Sequence, residues 1–288
     1  MAADTMAMPD PRTHAYRPDI AARDLEGKVA AAKFAEGRDM QVRAAMAPLR
    51  AAASHDAALV SQALSGEIMR VYDERDDWVW GQLARDRYVG YAPSACLDRT
   101  PLAPTHKVIT RQTLVFSKND IKAPTPTNLW LNAEVTVTEN LGRLSRLATG
   151  GFVVTRHVAG LDHKAGDFVA VAEMFRGTPY LWGGKGAGGI DCSGLVQIAL
   201  QAAGIEAPRD SDMQQDGLGR TIDSPGLAVL RRGDLVFWKG HVAIMADEAR
   251  LLHASARHMA TVIEPLSQAR ARIAESTGAI CRIARIDR

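Results

Sequence analysis

Between Gly183 and Gly189 five of seven residues are glycine, and three positions later an apolar run opens behind a cysteine, in TPYLWGGKGAGGIDCSGLVQIAL, residues 178–200. No other stretch restricts the fold as much. Backbone so poor in Cβ atoms can turn tightly and pass close to another group. Leu195, Val196, Ile198, Ala199 and Leu200 then predict a buried helix from Cys192 to Ala203, ended by Gly204. Such a stretch could cradle a phosphate, hold a metal or arm a nucleophile.

Gly184, Gly186 and Gly189 satisfy G-x-G-x-x-G, but a dinucleotide fingerprint closes a buried strand, and Pro179 disfavours a central strand here. The Lys-Ser/Thr pair of a P-loop is also missing. Cys192, His241, His253 and Asp191 offer metal-ligand atoms, yet neither C-x-x-C nor H-E-x-x-H occurs, and we assign no metal and no cofactor. The nucleophile reading has more support. Asp191 can cap the helix and place Cys192 at its first position, where free N–H groups and the helix dipole favour a thiolate.

A base is available downstream. RRGDLVFWKGHVAIMADEARLLHAS reads as a strand, a turn at Lys239-Gly240, a strand from His241, a turn near Asp247-Glu248 and a strand containing His253. A three-residue loop centred on Asp247 would set His241 and His253 directly opposite each other, about 5 Å apart. The plain alternative is an inert buried cysteine with two incidental histidines. His14, His55, His106, His157, His163 and His258 show no partner pattern, and Cys96 and Cys281 read as small core residues.

The rest of the chain speaks a different grammar. Residues 1–47 form an extension in which Ile20, Leu25, Val29 and Phe34 predict one or two short helices. Residues 48–102, with GEIMRVYDE, DWVWGQLARD and RYVGYAPSACL, alternate as half-buried strands and predict a small β-barrel. Residues 103–160 repeat that texture and predict a second barrel. Residues 161–288 begin with a helix near 167–176 and alternate as strands from Arg231 onward, an α+β pattern.

With 35 basic and 33 acidic side chains the net charge is +2, too small a field to recruit nucleic acid or an anionic membrane. Three widely spaced cysteines suit a reducing compartment. MAADTMAMPDPRTHAYRPD has no basic-then-apolar leader, and no stretch approaches a membrane span. The expectation is a cytoplasmic protein; its oligomeric state is not assigned.

The blocks PYLWGGKGAGGIDCSGLVQIAL, PRDSDMQ, RRGDLVFWKGHVAIM and LLHAS together resemble an NlpC/P60 cysteine peptidase carrying two N-terminal bacterial SH3-like barrels. The resemblance implies a multidomain protein: two all-β SH3-like barrels, then a papain-like α+β catalytic domain. It implies Cys192 as nucleophile, His241 as general base, His253 orienting that imidazole, and Tyr180 beside the nucleophile. The barrel-bearing subfamily resembles γ-D-glutamyl-L-diamino acid endopeptidases that recycle murein tripeptides or longer stems. By that resemblance Asp191, Ser193, Ser211, Glu67 and Tyr88 hold the free amine of an N-terminal L-Ala, with Tyr91 an alternative to Tyr88. The rival readings are a related Cys-His acyltransferase or amidase, and an inert adaptor that binds wall peptide.

Overall fold

The alternating residues before Ala103 become a seven-stranded antiparallel sheet. Its strand order is Leu59–Leu64, Met46–Arg50, Val89–Pro93, Trp78–Leu83, Ile68–Arg75, Arg38–Val42 and Leu97–Asp98. The structure is a computed structural model describing residues 8–222 and 229–287. The chain divides into two units, Met1–Ala103 and Pro104–Arg288.

In the first unit the period-two pattern sorts side chains onto two faces. Met40, Leu49, Met69, Val79 and Leu83 gather in one core with Tyr88 and Ala92. Trp80, partly buried Tyr72, Val89 and Tyr91 form another with Ile20, Leu25 and Val29 of the extension. The short helices expected there do not form: the segment contains strands Ala21–Ala22 and Phe34–Ala35 and a 3-10 turn Arg23–Leu25. Burying Ile20, Ala21 and Leu25 against Trp80 outweighs the helix propensity of an Ala-rich segment, which tertiary packing routinely overrides. The Arg17 guanidinium lies 4.4 Å from the centre of the Trp80 ring and pairs with Asp73 at 2.6 Å. The sheet begins at Arg38, ten residues before the boundary expected at 48. Residues 1–7 of the extension lie outside the described residues.

The second unit opens with two small antiparallel sheets. One has three strands in the order Glu134–Val135, His106–Val108, Val158–Gly160. The other has five, in the order Thr127–Trp130, Gln112–Phe116, Phe152–Val154, Leu144–Leu147, Val137–Asn140. Buried Asn132 ties this region to the helical part of the unit, its Nδ2 donating to the Ile198 carbonyl at 2.9 Å.

Helix α1, Phe168–Glu173, comes after these sheets and is capped by Asp167. Next comes a small hairpin of Lys185–Gly186 with Gly189–Ile190, then α2, Cys192–Ala202, and α3, Ser211–Gly217. Every residue of α2 except Gln201 is buried, as expected of a helix with neighbours all round. The last sheet contains β1 (Arg220–Thr221), β2 (Leu235–Trp238), β3 (His241–Met245), β4 (Arg250–Ser255), β5 (Ala260–Pro265) and β6 (Arg282–Arg285), ordered β1-β6-β2-β3-β4-β5. α2 packs on β3 and β4.

The expectation of strands alone after Arg231 is corrected by α4, Leu266–Thr277. Leu266, Ala269 and Ile273 make a sparse helical stripe that joins Val236, Trp238, Ala243, Met245 and Leu251 in one core. Gly278, at φ +91°, ends the helix. Cys281, read as a core residue, is exposed just before β6, where its neighbours rather than its own side chain fill the core; Cys96 is half-buried against the first unit's core. Among the described residues no helix is long and apolar enough to cross a membrane.

Candidate active site

The glycines before Cys192 let the chain approach itself. A Cβ at Gly194 would sit 2.3 Å from the Gly184 carbonyl oxygen, and one at Gly184 would sit 2.4 Å from that of Gly189. These are backbone contacts that cannot yield. The loop is thereby pressed against the first turn of α2.

Asp191 caps α2 as expected, its Oδ1 accepting from the Gly194 N–H at 2.7 Å. The same carboxylate accepts from the Gly183 N–H at 2.8 Å. Arg209, 1 % exposed, binds both of its oxygens, Nη1 to Oδ1 at 3.0 Å and Nη2 to Oδ2 at 2.7 Å. Ser193 Oγ lies 2.9 Å from Arg209 Nη1 and 3.3 Å from Asp191 Oδ1. The two residues implied as partners of a substrate ammonium therefore hold a buried guanidinium and a helix cap, and Asp191 already has its counter-charge.

The backbone N–H groups of Ser193 and of Val242, the residue after His241, act on the Cys192 sulfur in the direction that favours a thiolate. Burial nevertheless pushes the thiol pKa up to about 12, with the Asp191 charge acting in the same direction. Desolvation acts against the thiolate expected from the helix dipole, and those two N–H groups act for it. Tyr180, half-buried ahead of the loop, has its phenol pushed up by burial and then by the adjacent Cys192 and Asp191.

His241 opens β3 after a turn in which Gly240 has φ +75°. Its Nε2 lies 2.8 Å from His253 Nδ1, the rings meeting edge-on at 70°. The register differs from the expected one. Ile244 faces Leu252 and Met245 faces Leu251, so the loop centres one residue later and His241 and His253 are diagonal rather than opposed. A two-residue offset keeps both on one face, and diagonal imidazoles still reach each other. Burial, then neighbouring His253, holds the His241 pKa well below the usual imidazole range. His253, 1 % exposed, is lowered chiefly by burial.

Two further residues complete the row. His253 Nε2 lies 2.7 Å from Glu264 Oε1, and Arg272 Nη1 lies 2.9 Å from Glu264 Oε2. Glu264 pairs with Leu251 and His253 with Val262, so Glu264 is again the diagonal neighbour. Sequence reasoning missed both because β5 and α4 were not distinguished, and missed Arg209 although PRDSDMQ contains it. His258, which showed no partner pattern, lies with its ring centre 6.5 Å from that of His253 and bonds Ser255 Oγ at 3.0 Å. His253, His258 and Glu264 bring possible ligand atoms within 4.8 Å of one another, but His253 Nε2 and Glu264 Oε1 are engaged with each other.

The remaining candidates are described within their own units. Ser211 is half-buried at the start of α3. Glu67 belongs to the first unit, where it is buried, accepts from the Leu64 N–H at 3.0 Å and pairs with Arg85 at 3.2 Å. Tyr88 is buried in that unit's core, and the alternative, Tyr91, accepts from Arg17 at 3.0 Å.

A cysteine at a helix start, under the influence of the amide that follows a paired histidine, is the arrangement of a thiol peptidase, and the NlpC/P60 family pattern matches residues 177–273, which include all of these groups. Residues 177–273 are an NlpC/P60 domain. A second pattern, the bacterial dipeptidyl-peptidase SH3 domain, matches residues 49–97. The chain is 27% identical over 248 residues to a γ-D-glutamyl-L-lysine dipeptidyl-peptidase of Bacillus cereus, covering 73% of this chain and 71% of that protein. It is 28% identical over 224 residues to the protein so named in Bacillus subtilis, covering 69% and 73%. In fold it is similar to the crystal structure of an NlpC/P60 family protein from Bacillus cereus, with a TM-score of 0.69 at 20% identity, covering 86% of this chain and 99% of that one. The chain is thus a cysteine peptidase with an SH3 domain ahead of its NlpC/P60 domain.

Proposed function

We propose that the protein hydrolyses the γ-D-Glu–diamino acid bond of murein peptides bearing a free N-terminal L-Ala, in cytoplasmic recycling of wall peptides. The observation that carries the reading is the His241–His253 contact beside a sulfur seated at the start of α2. The names of the Bacillus relatives support the bond. The resemblance supports a second SH3-like barrel in residues 103–160 and a papain-like arrangement of the C-terminal domain. It also supports Tyr180, Asp191, Ser193, Ser211, Glu67 and Tyr88 as substrate residues.

The chemistry proceeds from neutral partners. His241 removes the thiol proton as sulfur attacks the γ-carbonyl carbon, and N–H groups at the start of α2 receive the charge that develops on oxygen. Collapse breaks the C–N bond, His241 returns the proton to the departing amine, and a thioester remains. Water then attacks the thioester, His241 taking its proton and giving it back to sulfur.

The test uses L-Ala-γ-D-Glu-meso-diaminopimelate, its L-lysine counterpart and the N-acetylated forms of both, with products followed by mass spectrometry. Wild-type protein is expected to release L-Ala-D-Glu from the free peptides only, and Cys192→Ala to release none while remaining folded. Equal cleavage of acetylated peptides would remove the recycling role, and full activity of Cys192→Ala would remove the assigned nucleophile.

A further inference from the structure

A base can take the thiol proton only through a ring nitrogen that carries none, so the reaction depends on where each histidine keeps its proton. The row from His241 to Arg272 answers this. Arg272 is bound to both oxygens of Glu264, Nη1 at 2.9 Å from Oε2 and Nη2 close to Oε1. That pairing, with His253, holds the Glu264 pKa well below the usual carboxylate range despite burial. An ionised carboxylate has no hydrogen to donate, so in the 2.7 Å contact the proton sits on His253 Nε2.

The groups facing His253 are His241, His258, Glu264 and Arg272. Burial, Arg272 and His258 act against a second proton on the ring, while Glu264 acts for it. The ring is neutral on balance and carries a single N–H. With that hydrogen on Nε2, His253 Nδ1 is a bare acceptor. The 2.8 Å contact from His241 Nε2 therefore has a hydrogen on His241. His241 is itself neutral, held so chiefly by burial, and its Nδ1 is left unprotonated.

We propose that Glu264, clamped by Arg272, is a positioning residue that fixes both histidines as Nε2–H tautomers and so presents the Nδ1 lone pair of His241 to the thiol. The inference rests on the reading of His241 as the base of Cys192. When the thiol reacts, its S–H bond breaks and an Nδ1–H bond forms on His241, while the Nε2–H keeps its bond to His253. No proton has to move further along the row. The charge gained by His241 is balanced through His253 by Glu264, which stays ionised.

The test is spectroscopic first and does not need substrate. Long-range ¹H–¹⁵N spectra of the full chain labelled in histidine, with resonances assigned from His241→Gln and His253→Gln, are expected to show both rings as Nε2–H tautomers in wild type. Glu264→Gln offers an amide that can donate as well as accept, and is expected to convert His253 to a mixture. The same variant should lower kcat by about tenfold, short of the roughly 10²–10⁴-fold that a positioned base contributes in full, with KM little changed. Arg272→Lys keeps the cation and should stay near wild type, whereas Arg272→Met should follow Glu264→Gln, a second route should Glu264→Gln fold poorly. An Nδ1–H tautomer at either histidine in wild type overturns the proposal, as does an unchanged spectrum and kcat in both Glu264→Gln and Arg272→Met. Nε2–H rings in a wild-type protein that cleaves no murein peptide would overturn the functional reading and leave this one standing.

Discussion

Arg209 grips both oxygens of Asp191, at 3.0 and 2.7 Å, at the first turn of the helix that carries Cys192. The guanidinium is 1 % exposed, and that carboxylate, Ser193 Oγ and the nearby Gly184 carbonyl offset its desolvation.

Removing one member of this pair should cost more than removing both. Arg209→Met leaves a buried carboxylate unpaired, and urea unfolding is expected to show a loss of about 3–5 kcal/mol. Asp191→Asn combined with Arg209→Met should recover part of that loss, because no charge remains buried without a partner. A double variant as unstable as the two single losses added together would contradict the coupling.

Alkylation of Cys192 by iodoacetamide should report a thiol and not a preformed ion pair. With its pKa pushed up to about 12, the rate should climb roughly tenfold per pH unit from pH 7 to pH 10 without a plateau. A plateau reached near pH 5 would mean a thiolate–imidazolium pair. On the acid side both histidine pKa values are lowered, so the base stays unprotonated as pH falls through 6.5. The acid limb of kcat/KM is therefore expected below the ordinary imidazole value, and a midpoint at or above about 6.5 would contradict the burial argument.

Gly184→Ala and Gly166→Ala should differ sharply. The first puts a methyl 2.4 Å from the Gly189 carbonyl oxygen, whereas a Cβ at Gly166 meets nothing within 4 Å. Gly184→Ala is expected to lower stability by about 1–3 kcal/mol, the usual cost of overpacking, and to reduce cleavage with it. Gly166→Ala should leave the melting temperature within a few degrees. Equal melting temperatures would show that the loop yields.

Asn132 has φ +66° and bonds the carbonyl of Ile198 in α2. Asn132→Ala loses the bond and keeps the left-handed backbone, so a loss of about 2 kcal/mol is expected from calorimetry. Asn132→Gly should recover roughly 1 kcal/mol by relieving the backbone alone. A glycine variant no more stable than the alanine one would place the cost in the hydrogen bond.

What the sequence determined by itself was local. Asp191 as cap, Cys192 at the start of α2, the stop at Gly204 and the turn at Gly240 all depend on side chains within a few residues of the backbone they govern. The alternation around Val79 and Trp80 likewise announces two buried faces. Only the tertiary structure decided the partners. Arg209 reaches Asp191 across 18 residues and Glu264 reaches His253 across 11, and no periodicity marks which of the chain's arginines or glutamates will be buried. The register of β3 on β4 was open for the same reason, since a shift of two residues preserves the apolar pattern and only packing chooses between the alternatives. The thiol's protonation was decided there too, because desolvation is a property of everything packed around a residue and leaves no trace in its neighbours along the chain.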